Sequence, residues 1–310
     1  MTIPPGLPEQ FVRIITDLHG DEGRAWLGRL PELLAACERH WSLTLLPPFP
    51  NLSYNYAAPG VLADGVPVVL KAGVPDDAVR DEIAALGLYA GDGICRLLAA
   101  DEEQGVMLLE RLVPGTTLAP LAAQDDEAAT AVAAEIMLRL WRPAPEVHSF
   151  PTVADWAQGL VRLREEFGGG TGPFAERLVA AAERAFAELN TAAGPPMLLH
   201  GDLHHENILA AAREPWLAID PKGLVGDPGY EVGALLYNQL PQDQAAIRRT
   251  LARRVDQLAE ALGFERARVL RWGLFQAVLS SWWSYEDHGE GWEETMFVAE
   301  VLDSLAGGAR

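Results

Sequence analysis

Chemistry is concentrated in the stretch Met197-Leu198-Leu199-His200-Gly201-Asp202-Leu203-His204-His205-Glu206-Asn207-Ile208-Leu209. Asp202 and Asn207 stand five positions apart there, and a second acid, Asp220, follows at the end of the apolar run Trp216-Leu217-Ala218-Ile219. A carboxylate can orient a nucleophilic hydroxyl, and an amide oxygen with a second carboxylate makes a pair of hard ligands suited to Mg2+. The apolar flanks 197–199 and 208–210 read as short strands holding a polar loop, the arrangement by which a rigid scaffold presents reactive side chains.

The basic residues point to the same place. Of 24 Lys and Arg only two are Lys, Lys71 and Lys222. Against so strong an Arg bias, Lys is expected where a compact ammonium does what a planar guanidinium cannot. Lys71 ends the apolar run Val68-Val69-Leu70, and Lys222 lies two residues after Asp220, so both fall on the candidate site. The formal net charge of −20 argues against nucleic acid as a partner, because phosphate contacts need clustered Lys and Arg. A cationic small molecule fits better, although a negative surface also serves solubility alone.

With 310 residues and 49% apolar content, the chain can bury a sizeable core in one large domain or two lobes. Cys37 and Cys95 are too few for a disulfide framework and lack the spacing of a zinc site. The opening MTIPPGLPEQF has no basic segment leading into an apolar core, and no run of 18 apolar residues occurs. A reduced, cytoplasmic setting with no membrane partner is expected.

Periodicity supplies the elements. Helical spacing over 9–41 is split near Gly20, and short strands follow at 43–46, 54–62 and 66–71, the last two joined by a turn at 63–65. A helix over 77–89 and strands at 94–99 and 106–109 complete this part. Beyond Pro114 and Gly115 the pattern is helical over 125–141, 153–167 and 174–190, and again over 231–238, 242–262, 267–285 and 292–305. Thr152-Val153-Ala154-Asp155 has the form of a capping box.

The wording HGDLHHEN, followed by AIDPKGLVGDPGYE, resembles the aminoglycoside phosphotransferase family, and within it most closely the streptomycin and hydroxyurea kinases. A His-x-Asp five residues ahead of Asn, with a metal-binding Asp beyond, is also the pattern of the protein-kinase catalytic loop. The resemblance covers roughly residues 50–240. It implies an α+β, bilobal, protein-kinase-like fold. The N-lobe, 1–112, would hold a helical cover, an antiparallel sheet, one Glu-bearing helix and a hinge at 110–113. The mostly helical C-lobe, 113–310, would hold the catalytic loop 200–207 and the metal segment 220–227. The implied reaction is ATP-dependent phosphorylation of a hydroxyl on a streptomycin-like aminocyclitol, at the 6-hydroxyl of its streptidine ring.

The same resemblance distributes roles. Asp202 would orient the acceptor hydroxyl, Asn207 and Asp220 would hold Mg2+, and Lys71 would contact the α- and β-phosphates of ATP. Such a Lys needs a fixed anion, and Glu82, at the rim of the apolar face of its helix, is preferred to Asp81. The kinase GxGxxG motif is absent, and Asn51-Leu52-Ser53-Tyr54-Asn55 stands in its place, so phosphate cover would come from Ser53 and nearby amides. Glu110-Arg111-Leu112 looks like the hinge, where the Glu110 carbonyl and the Leu112 amide would pair with adenine. His200 would brace the loop through backbone near Asp220, Asp227 would tie its own segment to the loop, and Lys222 would neutralise phosphate charge. GTP fits the same phosphate site as ATP.

Further candidates concern the acceptor. His204 and His205 are neighbours and would point apart in an extended segment, so one of them would face substrate. Glu231 is read first as an early helix acid favoured by the dipole and second as a substrate contact. Trp282, Trp283, Glu286 and Asp287 offer aromatic faces beside carboxylates, which suits a polyhydroxylated cation. The same residues could instead pack inward and cap the last helix. Two alternatives stand: a kinase of another small metabolite such as an amino alcohol, a sugar or hydroxyurea, since fold does not fix substrate, and a nucleotide-binding pseudokinase. The joint presence of Lys71, Asp202, Asn207 and Asp220 disfavours the second. No GxSxG nucleophile motif is present, and the sequence carries no signal of oligomeric state.

Overall fold

The computed structural model describes residues 7–191 and 194–307; residues 1–6, on which the reading of the chain's start rests in part, lie outside them. The chain divides into two units, Met1–Gly115 and Thr116–Arg310.

In the first unit, helix α1 (Glu9–Trp41) contains Gly20 at φ 56° and ψ −127°, a conformation closed to residues with a Cβ, so the helix bends there into two arms. Phe11 and Ile15 on one arm, and Trp26, Leu27, Leu30 and Cys37 on the other, are buried. A five-stranded antiparallel sheet follows: β1 (Leu43–Leu45), β2 (Tyr56–Leu62), β3 (Pro67–Ala72), β4 (Leu97–Asp101) and β5 (Val106–Glu110), in spatial order β1-β2-β3-β5-β4. Val68, Leu70 and Ala72 of β3 share a core with the buried face of α1. The two-residue period of a strand therefore turns Lys71 to the opposite face of the sheet. Helix α2 (Asp77–Tyr89) starts at Asp76, whose side chain accepts from the Val79 amide at 2.9 Å, and it buries Glu82 beside Ile83 and Leu86.

The short strand β6 (Pro114–Thr117) runs across the division. The second unit contains α3 (Ala119–Gln124), α4 (Asp126–Leu140), β7 (Arg142–Pro143), α5 (Val153–Glu166) and α6 (Glu176–Thr191). After these come β8 (Met197–Leu199), β9 (Ile208–Ala211), β10 (Trp216–Ala218), β11 (Leu224–Gly226), α7 (Val232–Tyr237), α8 (Gln244–Leu262), α9 (Arg266–His288) and α10 (Glu293–Gly307). Helix α9 buries Trp272, Phe275, Val278, Leu279 and Trp282 on several sides and is ringed by α5, α6, α7, α8 and α10. A helix that is apolar all round belongs at the centre of its layer. Arg254 of α8 is fully buried, yet its guanidinium reaches both Asp126 oxygens and the carbonyls of Leu235, Asn238 and Gln239. That completeness is what lets a buried charge persist.

The small strands do the positioning. β8 pairs with β11 and with β7, whereas β9 pairs with β10. Residues 200–207 link β8 to β9, and residues 219–223 link β10 to β11. Since the partners of one link are the partners of the other, the two loops are forced side by side. No helix among the described residues is long and apolar enough to cross a membrane.

Candidate active site

Backbone hydrogen bonds stitch these two loops together. Ile219 N–H donates to the Asn207 carbonyl at 2.9 Å, and Lys222 N–H donates to the His200 carbonyl at 2.7 Å. The His200 ring is fully buried: Nδ1 accepts from the Asp202 amide at 3.3 Å, so Nε2 carries the proton and donates to the Ile219 carbonyl at 2.7 Å. Burial, with Lys222 and His204 nearby, pushes this imidazole down to about 3, and it stays neutral. It braces the loop at the residue preceding Asp220. Asp220 itself takes φ 59°, a left-handed backbone uncommon outside glycine, of the kind that clusters at functional sites.

Asn207 commits its amide nitrogen to the Asp202 carbonyl at 2.9 Å, which leaves the oxygen as its remaining ligand atom. The Asp202 carboxylate is about one-third exposed and has a nitrogen near each oxygen: His204 Nε2 at 3.9 Å and Lys222 Nζ at 4.0 Å. His204 Nδ1 accepts from the Glu206 amide, so the nitrogen facing Asp202 is the protonated one. His205 goes the other way: His204 is extended, whereas His205 opens the short 3-10 turn His205–Asn207. Its ring is buried, its nitrogens meet no hydrogen-bond partner among the described residues, and burial with the Arg254 charge pushes it down to about 3.

Glu231 takes a part that sequence reasoning did not give it. Its buried carboxylate accepts from the amides of His200 at 2.8 Å and Gly201 at 2.9 Å, so it anchors the backbone on the N-terminal side of Asp202. Burial outweighs these hydrogen bonds and pushes the carboxyl up to about 7. Asp227, expected to make that tie, instead caps the turn Pro228–Glu231 through the Gly229 amide at 2.8 Å and forms an ion pair with Arg268. The only signal for Glu231 in the sequence was an acid directly ahead of an apolar helix.

In the first unit Lys71 is 6% exposed, and its ammonium meets both Glu82 oxygens at 2.7 Å. Ser53 is exposed in a bend ahead of β2, Glu110 accepts from the Arg96 amide at 3.1 Å through its side chain, and Leu112 is buried.

The 282–294 stretch divides. Trp282 is 3% exposed and turns inward among Phe167, Phe174 and Tyr285. Glu286 lies in a two-pronged ion pair with Arg162, at 2.8 and 3.0 Å, and Asp287 is exposed. Trp283 is half-buried, edge-on to Trp156 of α5, a residue that spacing gave no reason to select.

The sequence profile of the family described as aminoglycoside/hydroxyurea antibiotic resistance kinase matches residues 57–288. A streptomycin 6-kinase of Streptomyces griseus is 36% identical over 291 residues, 92% of this chain and 91% of its own. A hydroxyurea phosphotransferase of Kitasatospora aureofaciens is 36% identical over 304 residues, 97% of this chain and 87% of its own. The crystal structure of aminoglycoside phosphotransferase APH(4)-Ia aligns with a TM-score of 0.63 at 13% identity, over 91% of this chain and 99% of its own. The fold is thus α+β and protein-kinase-like, with an antiparallel sheet in the first unit and mostly helices in the second.

Proposed function

The chain belongs to the aminoglycoside/hydroxyurea antibiotic resistance kinases, phosphotransferases that act on a hydroxyl of a small molecule, and from that premise we propose that it moves the γ-phosphoryl group of ATP, with Mg2+, onto a streptomycin-like aminocyclitol. The 6-hydroxyl of the streptidine ring is the acceptor position. The observation that carries this reading is the stitched pair of loops, which fixes Asp202 and Asn207 against the backbone entering Asp220.

Phosphoryl transfer asks a protein for positioning and for neutralised charge more than for covalent chemistry. Asp202 receives the acceptor hydroxyl and orients its oxygen toward the phosphorus. Lys222, 4.0 Å from Asp202, adds positive charge where the phosphoryl group passes. Lys71, held by Glu82, serves the α- and β-phosphates. Among the described residues no group of three or more His, Cys, Asp or Glu is placed to hold a metal. Asn207, through its amide oxygen, and Asp220, through its carboxylate, would hold Mg2+, since hard oxygen donors of this kind suit that ion. When bound, the ion would offset the charge of the phosphates.

A second reading, hydroxyurea as acceptor, is favoured by the equal identity to the hydroxyurea phosphotransferase. The test is a panel of streptomycin, hydroxyurea and choline incubated with ATP and Mg2+, with products read by mass spectrometry and the phosphorylated position by NMR. Phosphorylation of streptomycin on the streptidine ring supports the proposal. A product from hydroxyurea alone moves the assignment to the second reading, and ATP binding with no product from any acceptor removes both.

A further inference from the structure

The streptomycin-like acceptor proposed above needs a surface beside Asp202, and the second unit offers one of which the sequence had singled out only Trp283. Gly201, immediately before Asp202, has φ 86°, and a Cβ there would stand 3.3 Å from Cη2 of Trp156, 3.2 Å from Cβ of Lys222 and 3.1 Å from Cβ of Leu224. The edge of the Trp156 indole is therefore set against the catalytic backbone, next to the stem of the Lys whose ammonium lies 4.0 Å from the Asp202 carboxylate.

That indole is held at a fixed tilt. On one side it meets Tyr230, fully buried, with ring centroids 5.9 Å apart at 68°. Against it also stands Trp283, at 5.5 Å and 90°. Both Trp156 and Trp283 stay half-buried, whereas Trp282, one position earlier, is enclosed. The acids closest in sequence to these rings are already engaged: Asp155 holds the Thr152 amide and hydroxyl at 2.8 and 2.6 Å, and Glu286 holds Arg162. The Asp202 carboxylate has the His204 and Lys222 nitrogens near it, and beside the backbone entering Asp202 the indole edge is rigid, uncharged aromatic surface, of a kind that attracts guanidinium by stacking and by cation–π contact.

We propose that Trp156, backed by Trp283, is a specificity-determining residue that receives the guanidinium-bearing ring of the acceptor and sets its hydroxyl at Asp202. This rests on the acceptor class given under Proposed function. Discrimination then follows from size and charge: a ring carrying guanidinium groups spans Asp202 and the indoles together, and a small uncharged acceptor does not reach them.

The test is steady-state kinetics with streptomycin on Trp156→Leu, Trp156→Phe and Trp283→Leu, with KM for streptomycin and KM for ATP measured separately. Leu keeps apolar volume and lacks a π face, so Trp156→Leu should raise the streptomycin KM about tenfold with the ATP KM changed less than about twofold. Trp156→Phe should recover most of that loss, and Trp283→Leu should shift the streptomycin KM in the same direction by less. If Trp156→Leu fails to fold, the Phe variant and Trp283→Leu still decide the matter: unchanged streptomycin KM in both overturns the proposal. An equal rise in both KM values, or loss of kcat with the streptomycin KM unchanged, also overturns it, since that is the signature of a residue that only fills space. Wild-type enzyme that ignores streptomycin and phosphorylates hydroxyurea overturns the acceptor reading as well. Wild-type activity on streptomycin with indifferent Trp variants overturns this inference alone.

Discussion

Lys71 and Asp202 are held in opposite ways. The ammonium of Lys71 meets the Glu82 carboxylate in a side-chain pair whose members are each 8% exposed. Asp202 depends on no single side-chain partner. Its position is set by the backbone on either side of it, through amides anchored on Glu231, a carbonyl gripped by Asn207, and an amide received by His200. A buried ion pair is costly to desolvate and contributes little net stability, so its retention is best understood as placing a charge. A backbone lattice places a whole loop and spreads the dependence over several residues.

The contrast predicts different responses to mutation. The largest stability effect should come from Glu82→Ala, which takes from a buried ammonium the carboxylate it meets at 2.7 Å and should cost about 3–5 kcal/mol in urea unfolding. Lys71→Met combined with Glu82→Leu should recover most of that stability and still leave nucleotide turnover low. A single variant costing under about 1 kcal/mol would show that the pair is solvated in solution.

Glu231→Ala should cost a comparable amount. Two buried amides lose their acceptor, at about 1–3 kcal/mol each, and kcat should fall with little change in nucleotide affinity. If kcat and stability hold, the loop does not depend on this anchor.

Acid titration gives a finer separation. His200 and His205 are pushed from 6.5 to about 3 in the folded protein, so the stability they contribute is present above about pH 6.5 and is lost as pH falls toward 3. Glu231, raised from 4.5 to about 7, has the opposite sign: its contribution is complete below about pH 4.5 and is lost as pH rises through 7. Between pH 7.5 and 5 the carboxyl therefore offsets the imidazoles. Glu231→Gln, measured by urea unfolding across that window, should lose stability on acidification more steeply than wild type. Parallel curves would mean that Glu231 is ionised throughout.

The smallest effect belongs to the Arg162–Glu286 pair, whose side chains are 48% and 33% exposed. Arg162→Ala should change the unfolding midpoint by an amount equivalent to about 1 kcal/mol or less.

Much of this architecture was legible because local rules and tertiary environment agree. Helix α2 runs over 77–89 as its spacing and the capping Asp76 dictate, Gly20 breaks the first helix, and the Thr152–Asp155 box is formed. Short strands were legible as apolar runs, but not their partners: nothing in Met197-Leu198-Leu199 says that it pairs with 224–226 instead of its neighbour in sequence. Strand alternation was the expected reason for His204 and His205 to part, but in the structure they part because His205 opens a 3-10 turn directly after the extended His204. Glu231 and Trp156 were out of reach because each acts across more than 29 residues of chain, on backbone that carries no motif of its own. Helix α3 was missed for a local reason, since Ala119–Gln124 is under two turns and too short to show a period.

The most direct test of the catalytic assignment is the turnover of Asp202→Asn with ATP, Mg2+ and streptomycin, set beside its affinity for ATP. The carboxamide keeps the shape and removes the negative oxygen that orients the hydroxyl, so kcat should fall by about 10² to 10⁴ with ATP affinity nearly unchanged. Turnover at the wild-type rate would contradict the assignment of Asp202 and of the loop built around it.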